Sequence, residues 1–308
     1  MTTVLDGNAV SEQIRETLGS CVDQLGDAGV TPGLATVLMS DDAASETYVR
    51  MKRRACDELG VESVHREIDP DAPADELFET VSALNEDPAV HGILVQMPVP
   101  DHVDRRRVLR SIAPAKDVDG FHPENVGRLV AGHPRFKPCT PHGIQKLLEV
   151  ADVDPEGTDA VVVGRSDIVG KPMVNLLIQK APGGNATVTL CHSRTDDLAS
   201  HTRRADIVIA AAGYPELVDG SMLSEGVVVI DVGVNRVDAD TEKGYELVGD
   251  VEFDSAREKA SVITPVPGGV GPMTITMLLY NTVRAASTLE DVEVSGLAEA
   301  AAWGDEDG

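Results

Sequence analysis

The chain has 308 residues, of which 42% are hydrophobic, so it is long enough and apolar enough for two modest domains. Its 52 acidic and 26 basic residues give a formal net charge of −26, which excludes a nucleic-acid binder with a basic surface and indicates a solvated surface suited to high salt. The pattern of a membrane span or a signal peptide is missing and the four cysteines form no CxxC pair, so we expect a cytoplasmic protein without membrane contact or a structural zinc site.

Predicted strands and helices alternate along the first third of the chain. Apolar runs at 34–38, 61–68 and 92–100 are typical of strands, and the last of them is stopped by prolines. Helical spacing of apolar residues at 45–59 and 74–85 indicates helices between those strands. This order predicts a parallel sheet with right-handed crossovers.

Lys52 stands out on the first of these helices. At about 100° per residue it falls near the middle of the apolar face, in line with Ser45 and Tyr48. A buried ammonium group loses its proton readily, which suits a lysine to proton transfer. The alternative is a lysine whose stem covers the core while its ammonium group reaches water.

A second set of β-branched runs follows a predicted helix start at 139–143, where we expect Thr140 as N-cap and Pro141 as first helical residue. These runs alternate with helical segments, which is typical of a doubly wound α/β fold. A final apolar helix spans about Met273 to Ala286. The predicted strands are 160–163, 187–190, 206–210, 227–230 and 262–263.

The segment 164–172 leaves the first of these strands and leads into a helix, where a dinucleotide's phosphates would meet N-terminal amides. Ser166 replaces the middle glycine of the usual GxGxxG pattern, so an ordinary strand–helix turn is the alternative. The second strand ends with hydroxyls and a cation in place of the acidic residue of an NAD site. Arg165 and Arg194 suit a 2′-phosphate, which predicts NADP over NAD, unless Arg194 is an ordinary surface arginine. Small residues at 210–213 would let the nicotinamide half approach the backbone.

Three further motifs are unusual. Residues 95–100 end a strand with a polar amide, residues 114–121 place two carboxylates in a loop, and residues 264–274 form a turn dense in proline and glycine. That turn permits close ligand approach, with an interdomain hinge as the alternative. Together with the Tyr48-to-Lys52 segment, these motifs closely resemble the bifunctional methylenetetrahydrofolate dehydrogenase/methenyltetrahydrofolate cyclohydrolase family, over about residues 5–285.

The resemblance implies a two-domain α/β enzyme. Residues 1–138, completed by 268–288, would form a folate-binding catalytic domain, and 139–267 a Rossmann-like domain that binds NADP. The acidic tail at 289–308 is expected to be disordered. Members of the family are typically homodimers, so the expected partners are tetrahydrofolate derivatives, NADP and a second copy of the chain.

The resemblance also implies both activities and the residues that serve them. Hydride would pass from 5,10-methylenetetrahydrofolate to the nicotinamide, and water would then open the methenyl product to 10-formyltetrahydrofolate. Lys52 would carry the cyclohydrolase step, Tyr48 would stack near the folate, Gln96 would bond Lys52 and Asp119 would anchor the pterin ring. The expected substrate-binding residues are Ser45, Tyr48, Val95, Gln96, Met97, Asp119, Gly269 and Pro272. The expected cofactor-binding residues are Gly164, Arg165, Ser166, Ile168, Val169, Gly170, His192, Ser193, Arg194, Thr195, Ala212, Gly213, Val232 and Gly233, and no metal site is expected.

Some positions depart from the family pattern, and three other functions stay open. Ser40 and Ala43 replace the usual glycine and proline before Ser45, and Asn8 replaces a usual lysine, which affects loop shape more than activity. The chain could have lost the cyclohydrolase activity, it could bind folate or NADP without turnover, or it could be a two-domain NADP dehydrogenase of the shikimate type.

Overall fold

The computed structural model describes residues 2–241 and 244–301, except the side chains of Ala43 and Ala44. It contains two compact units. The three-stranded unit comprises Gln13–Cys139 and Ile275–Gly308, and the six-stranded unit comprises Met1–Glu12 and Thr140–Thr274, each as far as the chain is described.

Strands and helices follow one another along most of the described chain. In chain order they are β1 (Thr3–Val4), α1 (Gly7–Asp27), β2 (Gly33–Leu38), α2 (Ala43–Leu59), β3 (Glu62–Glu67), α3 (Ala74–Glu86), β4 (Gly92–Val95), α4 (Arg105–Ser111), α5 (Pro123–Val130), α6 (Cys139–Val150), β5 (Asp159–Val163), α7 (Gly170–Leu177), β6 (Thr187–Cys191), α8 (Leu198–Thr202), β7 (Ile207–Ala210), a 3-10 helix (Gly220–Met222), β8 (Val228–Asp231), β9 (Asn235–Asp238), β10 (Tyr245–Val248), α9 (Phe253–Lys259), β11 (Val262–Ile263), α10 (Val270–Leu289) and α11 (Leu297–Ala300).

The sheet of the three-stranded unit has the order β3-β2-β4, and both pairs of strands are parallel. β2 and β4 are buried along their whole length, as their continuous apolar sequences predict. The helix α3 packs Leu77, Val81 and Leu84 into the core of this sheet. The predicted parallel sheet is therefore confirmed.

The sheet of the six-stranded unit has the order β1-β11-β8-β7-β5-β6, with every neighbouring pair parallel. β6 and β7 lie on opposite sides of β5, so the strand order reverses next to β5. Open α/β sheets bind ligands beyond the carboxyl ends of their strands at such a reversal. The doubly wound fold is confirmed, and the antiparallel hairpin of β9 and β10 is an addition to it.

The ends of the two units differ from the predicted domain boundaries. β1 extends the edge of the six-stranded sheet, where the Thr3 backbone N–H donates to the Ser261 carbonyl at 2.8 Å, so the first residues belong to that unit instead of the folate-binding domain. The segment 268–274 belongs there too, and only the part of α10 from Ile275 onward returns to the three-stranded unit. Thr140 lies inside α6 instead of capping it, and its hydroxyl is 2.9 Å from that of Thr274.

The C-terminal tail is more ordered than predicted. Residues 297–300 form α11, and Ala300 and Ala301 are buried. Gln24 on α1 accepts hydrogen bonds from the Ser295 backbone N–H at 3.1 Å and from its hydroxyl at 2.8 Å. These contacts correct the expectation of disorder for residues 289–301, and the remaining residues, 302–308, lie outside the described part of the chain.

Candidate active site

Lys52 lies on α2, whose first turn is capped by Asp42. The Asp42 carboxylate accepts the Ser45 backbone N–H at 2.9 Å, as an N-cap residue does. Only 9% of Lys52 is exposed, and its ammonium Nζ donates to Gln96 Oε1 at 2.9 Å. The ammonium therefore binds a protein acceptor, which argues against the alternative of a lysine that reaches into water.

Gln96 follows β4 and is held in one orientation. Its backbone N–H donates to the Val37 carbonyl at 2.8 Å, which continues the pairing of β4 with β2. Its side-chain Nε2 donates to the Met97 carbonyl at 3.0 Å, and this leaves Oε1 as the atom that faces Lys52. The strand end thus fixes both the place and the polarity of the partner of Lys52.

The two carboxylates of the loop at 116–120 have different tasks. Asp117 is buried and accepts the His122 backbone N–H at 2.7 Å and Asn125 Nδ2 at 2.8 Å, so it holds the loop together. Gly120, at φ +75°, takes the left-handed conformation that the turn requires. The loop leaves Asp119 near Lys52, where the two side chains interact electrostatically.

Burial dominates the ionisation of this pair. It lowers the pKa of the Lys52 ammonium from its ordinary value, and the Asp119 carboxylate opposes that shift in part. Burial raises the pKa of the Asp119 carboxyl, against the charge of Lys52 and a hydrogen bond with the Cys139 thiol. A lysine with a lowered pKa can accept a proton and return it, which is the requirement for general acid–base chemistry.

The other expected substrate-binding residues lie in both units. Tyr48 lies one turn before Lys52 and is 42% exposed, so its ring is accessible to a ligand. Ser45 is buried, and its hydroxyl donates to Asp42 at 2.9 Å. Val95 and Met97 flank Gln96 on the chain, whereas Gly269 and Pro272 belong to the six-stranded unit.

Sequence reasoning missed two residues of this site. The Cys139 thiol interacts with Asp119 and lies 3.5 Å from the Val118 carbonyl oxygen. Asn281 on α10 is fully buried and donates through Nδ2 to the Val118 carbonyl at 2.7 Å and to the Lys137 carbonyl at 3.0 Å. A polar amide inside a mostly apolar helix was the available signal for Asn281.

The expected cofactor-binding residues of the six-stranded unit follow the carboxyl ends of four neighbouring strands, β5, β6, β7 and β8. The Gly164 backbone N–H donates to the Cys191 carbonyl at 2.8 Å, and that of Ala211 to the Val163 carbonyl at 2.7 Å. A Cβ at Gly164 would lie 2.0 Å from the Ala211 carbonyl oxygen, so only glycine fits. The loops therefore meet at one edge of the sheet, at the reversal of strand order.

The turn after β5 is built differently from a GxGxxG turn. Ser166 Oγ accepts the backbone N–H groups of Val169 at 3.1 Å and Gly170 at 3.3 Å, and so caps the entrance to α7. Arg165 and Ile168 of the same turn are exposed. Ser166 thus stabilises a strand–helix turn in which the Arg165 guanidinium group is exposed beyond the carboxyl end of β5.

The loop after β6 presents the second arginine. The His192 backbone N–H donates to Thr195 Oγ1 at 2.9 Å, and the Arg194 backbone N–H donates to His192 Nδ1 at 3.1 Å. These bonds form a local turn in which Ser193 and Arg194 are exposed. Exposed hydroxyl and guanidinium groups at the end of this strand suit a phosphate better than a ribose diol.

Comparison with known proteins assigns the family. The model of the tetrahydrofolate dehydrogenase/cyclohydrolase catalytic domain matches residues 5–119, and that of the family's NAD(P)-binding domain matches residues 138–290. The chain belongs to the tetrahydrofolate dehydrogenase/cyclohydrolase family. It is 71% identical over 294 residues to bifunctional protein FolD 2 of Haloarcula marismortui, covering 96% of this chain and 99% of the relative.

Solved structures of the family have the same fold. The bifunctional enzyme FolD from Campylobacter jejuni is 47% identical, with a TM-score of 0.89 over 94% of this chain and 99% of that one. The Trypanosoma brucei enzyme, solved with NADP cofactor and an inhibitor, is 41% identical, with a TM-score of 0.89 over 93% and 98%. Family membership confirms the predicted resemblance, the two-domain α/β fold, the enzyme class and a nicotinamide cofactor, and it excludes the shikimate-type alternative.

The described residues contain neither a candidate membrane span nor a candidate metal cluster. No helix in this part of the chain is long and apolar enough to cross a membrane. No group of three or more histidine, cysteine, aspartate or glutamate side chains is arranged there to hold a metal ion.

Proposed function

We propose that this chain oxidises 5,10-methylenetetrahydrofolate to 5,10-methenyltetrahydrofolate with NADP, and that it hydrolyses the product to 10-formyltetrahydrofolate. The observation that carries the proposal is the buried Lys52, hydrogen-bonded to the half-buried Gln96 and near Asp119, in a chain whose family combines a dehydrogenase with a cyclohydrolase. A mere binding protein would have no need for a buried amine with a lowered pKa, because such a group is costly to bury.

The dehydrogenase step needs mainly binding and orientation from the protein. NADP, when bound, supplies the hydride acceptor. The residues beyond β5 and β6 would hold its phosphates and adenosine half, and the small residues after β7 would face its nicotinamide half. Arg165 and Arg194, both exposed at this edge, favour the 2′-phosphate of NADP over the free hydroxyl of NAD.

The cyclohydrolase step needs a proton acceptor. Water attacks the methenyl carbon of the cationic substrate and passes a proton to the neutral amine of Lys52. The bond from that carbon to N5 then breaks, N5 takes up a proton and the hydroxyl proton of the adduct is lost, so the whole step releases one proton. The positive charge of the substrate acts in the same direction as burial, because both disfavour the charged form of Lys52.

The neighbours of Lys52 assist without reacting. Gln96 accepts from the Lys52 ammonium and so orients it, since its amide is fixed by the Met97 carbonyl. Asp119 would accept the amino and ring N–H donors of the pterin, and the exposed ring of Tyr48 would stack near the folate. Ser45, Val95, Gly269 and Pro272 remain proposed lining residues.

Three further properties belong to the proposal. The chain acts as a homodimer, as members of its family typically do. It does not bind nucleic acid, because its net charge of −26 opposes polyanions. It works in the cytoplasm, since its four cysteines are free and buried. Its acidic surface is adapted to high salt.

One coupled assay tests the proposal. The purified chain is given methylenetetrahydrofolate with NADP or NAD, at low and at high salt, and NADPH and the methenyl species are followed by absorbance. We expect NADPH to form faster than NADH, with 10-formyltetrahydrofolate as final product. Accumulation of the methenyl species would show a dehydrogenase without cyclohydrolase activity, and binding without NADPH formation would show a binding protein.

A further inference from the structure

Two buried aspartates lie behind the loops that follow β7 and β8. Asp250 is fully buried and Asp231 is 4% exposed. Neither is among the residues expected to touch folate or NADP. The two residues form the Asp231–Asp250 pair, and six backbone N–H groups and one side-chain amide donate to their carboxylates.

Asp250 holds the turn that follows β7. Its carboxylate accepts three successive backbone N–H groups, those of Ala212 at 2.5 Å, Gly213 at 2.8 Å and Tyr214 at 3.0 Å. It also accepts Asn235 Nδ2 at 2.9 Å. Successive N–H groups that converge on one anion form a concave nest, so this turn is wrapped around the carboxylate.

Asp231 holds the next loop and the backbone of Asp250 itself. Its carboxylate accepts the backbone N–H of Gly233 at 3.0 Å, of Asp250 at 2.9 Å and of Val251 at 3.0 Å. Asp231, at the end of β8, thus fixes the backbone of Asp250, and the carboxylate of Asp250 fixes the turn after β7.

The backbone leaves the pair no room to move. A Cβ at Gly233 would lie 2.1 Å from Asp250 Oδ1, and a Cβ at Gly249 would lie 1.7 Å from Asp231 Oδ2. Both glycines are thus required by the carboxylates that pack against them. A carboxylate longer by one methylene group would not fit at either position.

The nest also decides which groups the turn offers to a ligand. In a trans peptide the N–H and C=O groups point in opposite directions, so the carbonyls of this turn face away from Asp250. The Ala211 carbonyl points toward Gly164, at the reversal of strand order. Carbonyl acceptors and the small side chains of residues 211–213 suit the carboxamide N–H donors of a nicotinamide.

We propose that Asp250, supported by Asp231, is a positioning residue that shapes the turn at 211–214 for the nicotinamide half of the cofactor. This inference rests on the proposed dehydrogenase function. Its consequence is a selective one: loss of the carboxylate opens the turn and weakens cofactor binding, while cyclohydrolase chemistry at Lys52 continues.

The test is Asp250→Asn in the full chain. An asparagine places an amide NH₂ against backbone N–H donors, so at least one of them loses its acceptor, and we expect the KM for NADP to rise about tenfold or more. The KM for methylenetetrahydrofolate and the hydrolysis of added methenyltetrahydrofolate without NADP should stay within about twofold. A thermal melt of each protein shows that it is folded.

Asp206→Asn is the matched control. Asp206 also accepts a backbone N–H, that of Asp159 at 2.9 Å. It directly precedes β7, however, and so lies at the amino ends of the strands, away from the proposed cofactor site at their carboxyl ends. A rise in KM for NADP in Asp250→Asn and not in Asp206→Asn supports the inference. An unchanged KM for NADP in folded Asp250→Asn, or equal loss of both activities, overturns it.

A second variant covers the case in which Asp250→Asn does not fold. Asn235→Ala removes one donor to the Asp250 carboxylate and keeps the carboxylate itself, and we expect the KM for NADP to rise about threefold. An unchanged KM in that variant then decides against the inference. Absence of NADP reduction in the wild-type chain would instead overturn the proposed function, so the two failures are distinct.

Discussion

Replacing Gln96 by glutamate turns the neutral hydrogen-bond acceptor of Lys52 into a carboxylate of nearly the same size. The backbone keeps its place because the N–H of residue 96 is bound by the Val37 carbonyl at 2.8 Å, whereas the side-chain hydrogen bond to the Met97 carbonyl is lost. The substitution therefore changes the charge that faces Lys52 and leaves the geometry of the strand end in place.

The distance sets the size of the effect. A unit negative charge 2.9 Å from the Lys52 ammonium stabilises the charged form by about 6 kcal/mol at an effective dielectric constant of about 20. Solvent and the lost amide hydrogen bond reduce this energy. About a quarter of it, roughly 1.4 kcal/mol, already changes the fraction of neutral amine tenfold, so the pKa of Lys52 rises in Gln96→Glu.

The sign of the pH dependence follows from burial. Since burial lowers the pKa of Lys52, the neutral amine forms as the pH rises through that lowered value, and cyclohydrolase activity should rise with it. In Gln96→Glu the rise moves to higher pH, so hydrolysis of methenyltetrahydrofolate near neutral pH falls about tenfold or more.

The assay is the pH profile of methenyltetrahydrofolate hydrolysis in the wild type and in Gln96→Glu. Gln13→Glu adds the same charge on the exposed side of α1 and serves as control. A profile that does not move, or one that moves equally in both variants, would refute the reasoning that the charge state of Lys52 controls this step.

Three further predictions concern the frame around the site. In Gly164→Ala the new Cβ would lie 2.0 Å from the Ala211 carbonyl oxygen, at a φ of +124°. The substitution should therefore lower the thermal midpoint and abolish NADP reduction, while methenyl hydrolysis persists. A full wild-type rate of NADP reduction would contradict this. With a net charge of −26, the thermal midpoint should rise steadily as KCl is increased from low salt to molar concentrations, and a flat or falling midpoint would show that charge repulsion is unimportant. Gln24→Ala removes the acceptor of two Ser295 hydrogen bonds and should reduce the free energy of unfolding by about 0.5–1 kcal/mol in a denaturant titration. Limited proteolysis of this variant should begin at the C-terminal segment. Unaltered stability and an unaltered cleavage pattern would mean that this segment does not depend on Gln24.

The parts of the fold that the sequence predicted are those with strong local patterns. β2 and β4 are continuous apolar runs and their burial is complete, so periodicity alone identified them. Lys52 was identifiable for the same reason, since a charge on the apolar face of a helix is a local feature. Gly164 was identifiable from its place between a strand and a helix.

The parts that escaped prediction depend on contacts between distant residues. The two-residue strand β1 carries too little pattern to be recognised, and it exists only because β11 pairs with it. Composition indicated disorder at the C-terminal tail. It could not reveal the order of this segment, because that order rests on the contact between Ser295 and the distant Gln24. Asn281 bonds a carbonyl far away in the chain, and the nest around Asp250 arises only after two loops have folded onto it.

The most direct test of the claim that Lys52 serves the cyclohydrolase step and not hydride transfer is Lys52→Met, with both activities measured on the same preparation. Methionine retains the length of the lysine stem and removes the amine that donates to Gln96. General acid–base catalysis contributes about 10²–10⁴-fold, so we expect methenyl hydrolysis to fall by that factor and NADP reduction to remain substantial. The methenyl species should then accumulate during NADP-driven turnover, whereas equal loss of both activities would reduce Lys52 to a binding residue and contradict the account.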